Sequence, residues 1–333
     1  MKKLIVVFAI ISCVCAFVSA QENESESIPE NTQEAAKVEK DFQNHIVPVL
    51  GFQALQVDEE DFLFNPSVSA QFIRVKSSGV ESKQPDAVIV AASYGQTIST
   101  KGIGPDEVKT NHSVSLMGNT VYGKNTITAM FSNGGQVLFN DIRDITTGLF
   151  YSRQLVKNNS ISFTLGGGVV MTDLGLTIGG VDIYVIPLPI FSFSYTSEIF
   201  KGSCSFMGTP SISAVLFPKA MFRLKGECGT AGFNSVRDIT FDCALAYYPL
   251  KNTKAGDFLS VSAGIQNKHT GFATKDPRKK YSYQYYGAYG EINASFISLR
   301  AGYNFDGKLF VDGKEESDLR KGMFASVQAM YMF

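Results

Sequence analysis

The 333-residue chain has no tryptophan, three histidines and five cysteines. Beyond residue 20 it has no apolar run near the roughly 18 residues that a spanning helix needs. Each shortage excludes something. Without Trp, any aromatic belt must come from the 26 Phe and 14 Tyr. The longest apolar stretch, 183–193, is short and holds Pro187 and Pro189, which would break a helix. Three histidines leave few candidates for a general base. His112 and Ser113 are adjacent, but successive strand residues point to opposite faces and form no dyad directly. His45 stands at a segment boundary and His269 reads as a loop residue beside Lys268. No enzyme, cofactor or metal is expected.

Two cysteines, Cys13 and Cys15, fall inside the N-terminal apolar run, leaving Cys204, Cys228 and Cys243 without C-x-x-C spacing. Zinc and redox chemistry are poorly served by that set. The three read as small apolar residues on a packed or lipid-facing surface, with a Cys204–Cys228 disulfide as the alternative. A net charge of −1 gives no global field for nucleic acid. The basic run Asp276–Lys280 leads into Tyr283, Tyr285 and Tyr289, which share one strand face and read as a lipid-interface girdle. Gly102, Gly104, Gly166–Gly168 and Gly179–Gly180 lack the Lys-Ser/Thr of a phosphate loop and suit tight turns or close strand approaches.

What is present begins with Lys2-Lys3, the apolar run Leu4–Val18 and the small residues Ser19-Ala20. This is the pattern of a secretory signal over residues 1–20. Its alternatives are a membrane anchor, for which the run is short, and a lipidated Cys13, which would leave the apolar Val14–Ala20 exposed. Residues 21–44 are acidic and poor in large side chains, a flexible periplasmic leader by composition; Glu34–Lys40 could instead form a short plug helix.

From residue 45 to 333 segments of about ten residues alternate with period two, which is a strand period. Leu259, Val261, Ala263 and Ile265 oppose Ser260, Ser262, Gly264 and Gln266. Ile239, Phe241, Cys243 and Leu245 oppose Thr240, Asp242 and Ala244, and Ile297, Leu299, Ala301 and Tyr303 oppose Ser298, Arg300 and Asn304. Phe222, Leu224 and Cys228 oppose Arg223, Lys225 and Glu227. A soluble sandwich turns its apolar face inward and places Lys and Glu outside. Here the polar face is mostly Ser, Thr, Gly and Gln, which suits a water-filled lumen behind a lipid-facing wall.

The final strand puts Met323, Ala325, Val327, Ala329, Tyr331 and Phe333 on one side. In this it resembles the bacterial outer-membrane β-barrels, whose terminal aromatic strand is read by the insertion machinery and closes the barrel. The segments Ile186–Tyr195 and Phe206–Pro218 also look like an uncharacterised family of such barrels. The resemblance implies an all-β, antiparallel up-and-down transmembrane barrel, embedded in outer-membrane lipid and recognised through Tyr331 and Phe333. An even number of about 12–16 strands is expected, since single-chain bacterial barrels have even counts.

Function follows less far. The inward set, with Arg223, Lys225, Glu227, Asp242 and Arg300 as its charged members, suits a passive channel or small-solute transporter. A structural or surface-interaction barrel without an open pore is the alternative. Counting back from Phe333 makes 306–320 and 268–280 extracellular loops, with shorter turns near 292–293, 249–257 and 217–219. Arg278, Lys279 and Lys280 on one loop and Glu315 and Glu316 on the other are expected to meet over the mouth.

Overall fold

The computed structural model describes residues 42–331 apart from the connections 58–60, 77–84, 104–107, 141–143, 173–176, 179–180, 183, 231–238, 274–279, 312–313 and 319–320. The signal and leader through Asp41, and Met332 and Phe333, lie outside the described residues. Phe42–Asn44, grouped with the leader on composition, belong instead to the first strand.

The first seven strands are β1 (Phe42–Gln56), β2 (Phe62–Lys76), β3 (Ala87–Ile103), β4 (Val108–Tyr122), β5 (Asn125–Gly135), β6 (Ile145–Lys157) and β7 (Ile161–Met171). A small separate hairpin, β8 (Thr177–Ile178) and β9 (Val181–Asp182), follows. The wall resumes with β10 (Val185–Thr196), β11 (Phe200–Met207), β12 (Thr209–Leu216), β13 (Phe222–Thr230) and β14 (Ile239–Tyr247). It ends with β15 (Leu259–Ala273), β16 (Lys280–Ala294), β17 (Ile297–Val311), the short β18 (Lys314–Asp318) and β19 (Gly322–Met330). Each wall strand pairs antiparallel with its neighbour, and β1 closes on β19 with Val49 opposite Met330 and Leu55 opposite Phe324. Omitting β8, β9 and β18, the closed wall has sixteen strands.

The alternating segments at 161–169, 222–228, 239–247, 259–266 and 297–305 are wall strands, and their alternation records two solvents. Leu116, Leu149, Leu165, Ile212, Leu224, Leu245, Val261 and Leu299 project from the outside of the barrel and stay exposed. A soluble monomer rarely shows so large a continuous apolar surface. Aromatic pairs border this belt at both rims. At the rim where β19 ends are Tyr195–Phe200, Phe222–Tyr247 and Phe258–Phe296; at the far rim are Phe52–Phe64, Phe191–Phe206 and Phe241–Tyr286. A closed antiparallel barrel with an aliphatic belt between aromatic girdles is an outer-membrane architecture, and the chain is embedded in lipid there.

Cys204, Cys228 and Cys243 are free. The first two cannot pair, because both face Ile212 of the intervening β12 in register.

Two corrections concern β15 to β18. The segments 268–273 and 306–311, read as loops from their charge, are strand, as is 314–318. The turn near 292–293 falls instead at 295–296. Among the described residues, β15 beyond Asn267 pairs with β16 and no longer with β14, and β17 beyond Asn304 pairs with β16 and β18 and no longer with β19. A bulge marks the same level, where Asn304 and Asp306 face consecutive residues Gly287 and Tyr286 and Phe305 is left over. Bulges bend a strand. The upper parts of β15–β18 thus form a four-stranded flap joined to the wall at its root.

Candidate functional site

The lumen wall has three chemically different regions. On β7 and β10–β12 it is hydroxyl. Thr164, Ser192, Ser205 and Ser211 lie in one cross-strand row, and Ser162, Ser194, Ser203 and Ser213 in the next. Ser203 and Ser213 share a hydrogen bond at 2.7 Å. Their small size leaves room for water along this side.

The second row runs on into Glu227, Asp242 and Gln266, where charge begins. Arg300 on β17 donates through Nη1 to Asp242 Oδ2 at 2.7 Å and to Gln266 Oε1 at 2.8 Å, and through Nε to Glu291 Oε2 at 2.7 Å. Its guanidinium also stacks 3.9 Å from the Tyr289 ring centroid, while the Tyr289 hydroxyl donates to Asp242. Gly264 and Gly302 flank Tyr289 in register, and a Cβ on Gly264 would collide with its ring. Glu227 faces Asp242 directly, a like-charge pair that would be unfavourable alone. Lys268, on the Gln266 face of β15, lies within electrostatic reach of Glu227, Asp242 and Glu291. Three carboxylates and two cations thus share one side of the lumen.

Arg223 and Lys225 lie lower on the same inner surface. Arg223 donates to Asp257 Oδ1 at 2.6 Å and to the Ala220 carbonyl at 3.0 Å, and stacks 3.8 Å from the Tyr248 ring centroid. It therefore anchors the 248–258 turn at the rim and is not presented to a passing ion. The guanidinium holds the Asp257 carboxyl below the usual carboxylate range. Lys225 Nζ lies 5.3 Å from the Tyr248 ring centroid.

The third region is apolar and was missed in the sequence. Tyr283, Tyr285 and Tyr289, expected on the lipid face, point inward with Tyr281 and are buried. Tyr281, Tyr283, Tyr285, Leu309 and Phe324 pack in one cluster with Leu55 of β1, Val57 just beyond it, Leu63 of β2 and Val108 of β4. Gln53 of β1 donates to the Tyr285 hydroxyl at 3.0 Å. The available signal was phase: Glu291 shares odd numbering with all four tyrosines, so an inward Glu291 makes them inward too. A second inward cluster, Phe150, Val170 and Ile190 with Met130 and Leu188, rests over Gly148 and Gly168. Gly168 serves as a close-approach glycine: a Cβ there would come within 2.3 Å of the Phe150 ring.

His112 accepts or donates through Nδ1 to the Tyr94 hydroxyl at 2.8 Å, while Ser113 is directed at the Gly95 carbonyl. His269 is a β15 residue rather than a loop residue, and His45 belongs to β1. Of the mouth charges, Arg278 and Lys279 lie outside the described residues, as does the side chain of Lys280. Glu315 pairs at 2.7 Å with Lys308 of its own hairpin, and Glu316 is exposed.

No family model and no curated protein matches the sequence. Among solved structures the chain is similar to Pseudomonas putida OprB at low pH, with 9% identity, 91% of this chain and 96% of that one covered, and a TM-score of 0.42. It is similar to Acinetobacter baumannii OccAB4 at 9% identity, 88% and 98% coverage and a TM-score of 0.35. A double mutant of Rh. blastica porin matches at 10% identity, 87% and 100% coverage and a TM-score of 0.41. The identities are too low to transfer a solute or a residue role, so function has to be read from the lumen itself.

Proposed function

We propose that the protein is a passive channel or small-solute transporter of the outer membrane, acting without catalytic chemistry or a cofactor. The hydroxyl rows on β7 and β10–β12 carry this reading. A sixteen-strand wall is wide enough to enclose an aqueous passage, and serine side chains hold water without filling the space. The neighbouring set Glu227, Asp242, Glu291, Arg300 and Lys268 would bias which ions pass, because fixed charges act strongly where water is confined. Tyr331 and Phe333 would be read by the barrel-insertion machinery. The basic residues 278–280 and the acidic pair Glu315 and Glu316 would shape the field at the mouth.

A structural barrel without an open pore has one observation in its favour, the apolar clusters inside the lumen. Conductance of the purified full-length protein in a planar bilayer separates the two. Discrete current steps support the channel. Their absence, with inserted protein confirmed and in variants that loosen the tyrosine cluster as well, supports the sealed barrel.

A further inference from the structure

The flap made by the upper parts of β15–β18 is not simply a tall stretch of wall. Wall strands standing above a membrane keep one face in water. Here Tyr281, Tyr283 and Tyr285 are buried on one face of the flap, and Gln284 and Phe310 on the other. Strand β15 comes within 8 Å, Cα to Cα, of β5. These two strands are eight positions apart around the sixteen-strand wall and so lie opposite each other. The lower part of β15 is held in the wall by β14, so the approach falls to its upper part, which pairs with β16.

We propose that this flap is a gate, hinged at the level of Asn267, Gly287 and Asn304, which closes the far mouth by docking its tyrosine face on β1, β2 and β4. The proposal rests on the channel reading above and adds its regulation. Three observations give it a hinge and two states. Among the described residues the flap has no ladder to the wall beyond Asn267 on one edge and Asn304 on the other, and the Phe305 bulge bends it at the root. Its root is a layer of buried amides in which neither Asn267 Oδ1 nor Asn304 Oδ1 has a protein hydrogen-bond donor among the described residues. Buried orphan acceptors destabilise the conformation that hides them, so the closed state is held by its apolar contact and opposed at its root. The outer edge, β18, is exposed throughout and charged at four of its five residues; it remains in water in either state and is a poor edge for pairing with another chain.

The test starts from a background in which Cys204, Cys228 and Cys243 are all serine, since each is free and none is in the flap. Gln53→Cys and Tyr285→Cys are added, and the pair is joined by a bifunctional methanethiosulfonate whose link a reductant cleaves. A monofunctional reagent at the same positions controls for bulk. Current across a planar bilayer should be lost on cross-linking and return on reduction, whereas the monofunctional reagent should leave current flowing. Separately, Tyr281→Ser with Tyr283→Ser should raise the open fraction. The gate is overturned if cross-linked and reduced protein conduct alike, or if the two cysteines cannot be joined in the inserted barrel. If neither wild type nor the double serine variant conducts, the channel reading fails and the gate with it.

Discussion

Arg300 is stacked on Tyr289 at 3.9 Å, and the same guanidinium binds the carboxylate that accepts the Tyr289 hydroxyl proton, so one cation and one ring hold Asp242 between them. The arrangement joins β14, β16 and β17 through their inner faces and leaves Glu291 dependent on the same arginine. Arg300→Ala would leave Asp242, which faces Glu227 in register, and Glu291 without the guanidinium that bridges them. Losing one member of such a partly buried network should cost about 3 kcal/mol. Arg300→Lys should recover part of that, since an ammonium cannot reproduce the forked geometry. Urea unfolding in lipid vesicles checks both; equal stability of wild type and Arg300→Ala would remove the network from the list of what holds the wall together.

The two faces of each strand should respond oppositely to charge. Val261 and Leu299 are 45% and 49% exposed on the outside of the barrel. Both stand on the rim side of the belt, Val261 facing Tyr247 in register, so replacing either by Arg should cost between the roughly 0–1 kcal/mol of an interface and the roughly 2–4 kcal/mol of the bilayer midplane and reduce the yield of heat-modifiable, folded protein. The same replacement at Ser262, which lies opposite Glu291 on the lumen side, should be tolerated. Equal yields at both sites would mean that the outward face does not meet lipid.

Protonation should loosen the 248–258 turn. The Asp257 carboxyl titrates below its ordinary range because Arg223, and then Lys251, hold its charged form. A lowered folded-state value makes the contribution fully present above the ordinary carboxylate range and lost as pH falls through the lowered value. Amide hydrogen exchange in 249–258, corrected for its intrinsic pH dependence, should therefore rise on acidification. Asp257→Asn should exchange faster at neutral pH and lose that dependence. Because Asp257 is about half exposed, solvent screening keeps the effect local, and global unfolding should shift little.

The sixteen wall strands were legible because lipid and lumen select opposite chemistry every second residue, and Val261 against Ser262 or Leu299 against Arg300 shows that selection without any knowledge of pairing. The flap was hidden for a reason of the same kind. Tyr281, Tyr283 and Tyr285 alternate as wall residues do, and alternation reports that a face is apolar without reporting what covers it. Whether that cover is lipid or the inner surface of β1 and β2 depends on where β14 stops pairing with β15, at Asn267. That is a relation between distant segments. Lys268 added to the error, since its charge suggested a loop, whereas in the structure it continues the inward face that began with Ser260. The inward Leu55, Leu63 and Phe150 were beyond reach for the same reason, as nothing in their local sequence separates a plugged lumen from a packed core.

The barrel seam makes the chain's last residues a test of assembly. Tyr331 follows the end of β19, is 60% exposed on the outside, and donates its backbone N–H to the Pro48 carbonyl of β1 at 3.1 Å. One step earlier Met330 faces Val49 in the seam and donates to the Phe296 carbonyl at 2.8 Å. The C-terminus thus secures both neighbours of β19 at one rim, and its aromatic ring stands where the other rim aromatics, Tyr195, Phe222 and Tyr247, meet the lipid headgroups. Deleting residues 331–333 removes the Tyr331 seam hydrogen bond and its ring together, and takes away the terminal aromatic by which the insertion machinery would recognise the strand. The truncated protein should be degraded or remain unassembled in the periplasm. Tyr331→Phe, which keeps the backbone bond and the apolar ring, should assemble near wild-type level, while Tyr331→Asp should not, because it puts charge at the lipid boundary with the seam bond still available. Heat-modifiable mobility of the membrane fraction on gels reads all three. If the deletion accumulates as folded barrel at wild-type level, neither the seam bond nor the terminal aromatic governs assembly; if Tyr331→Asp alone does so, the seam bond matters and the ring does not.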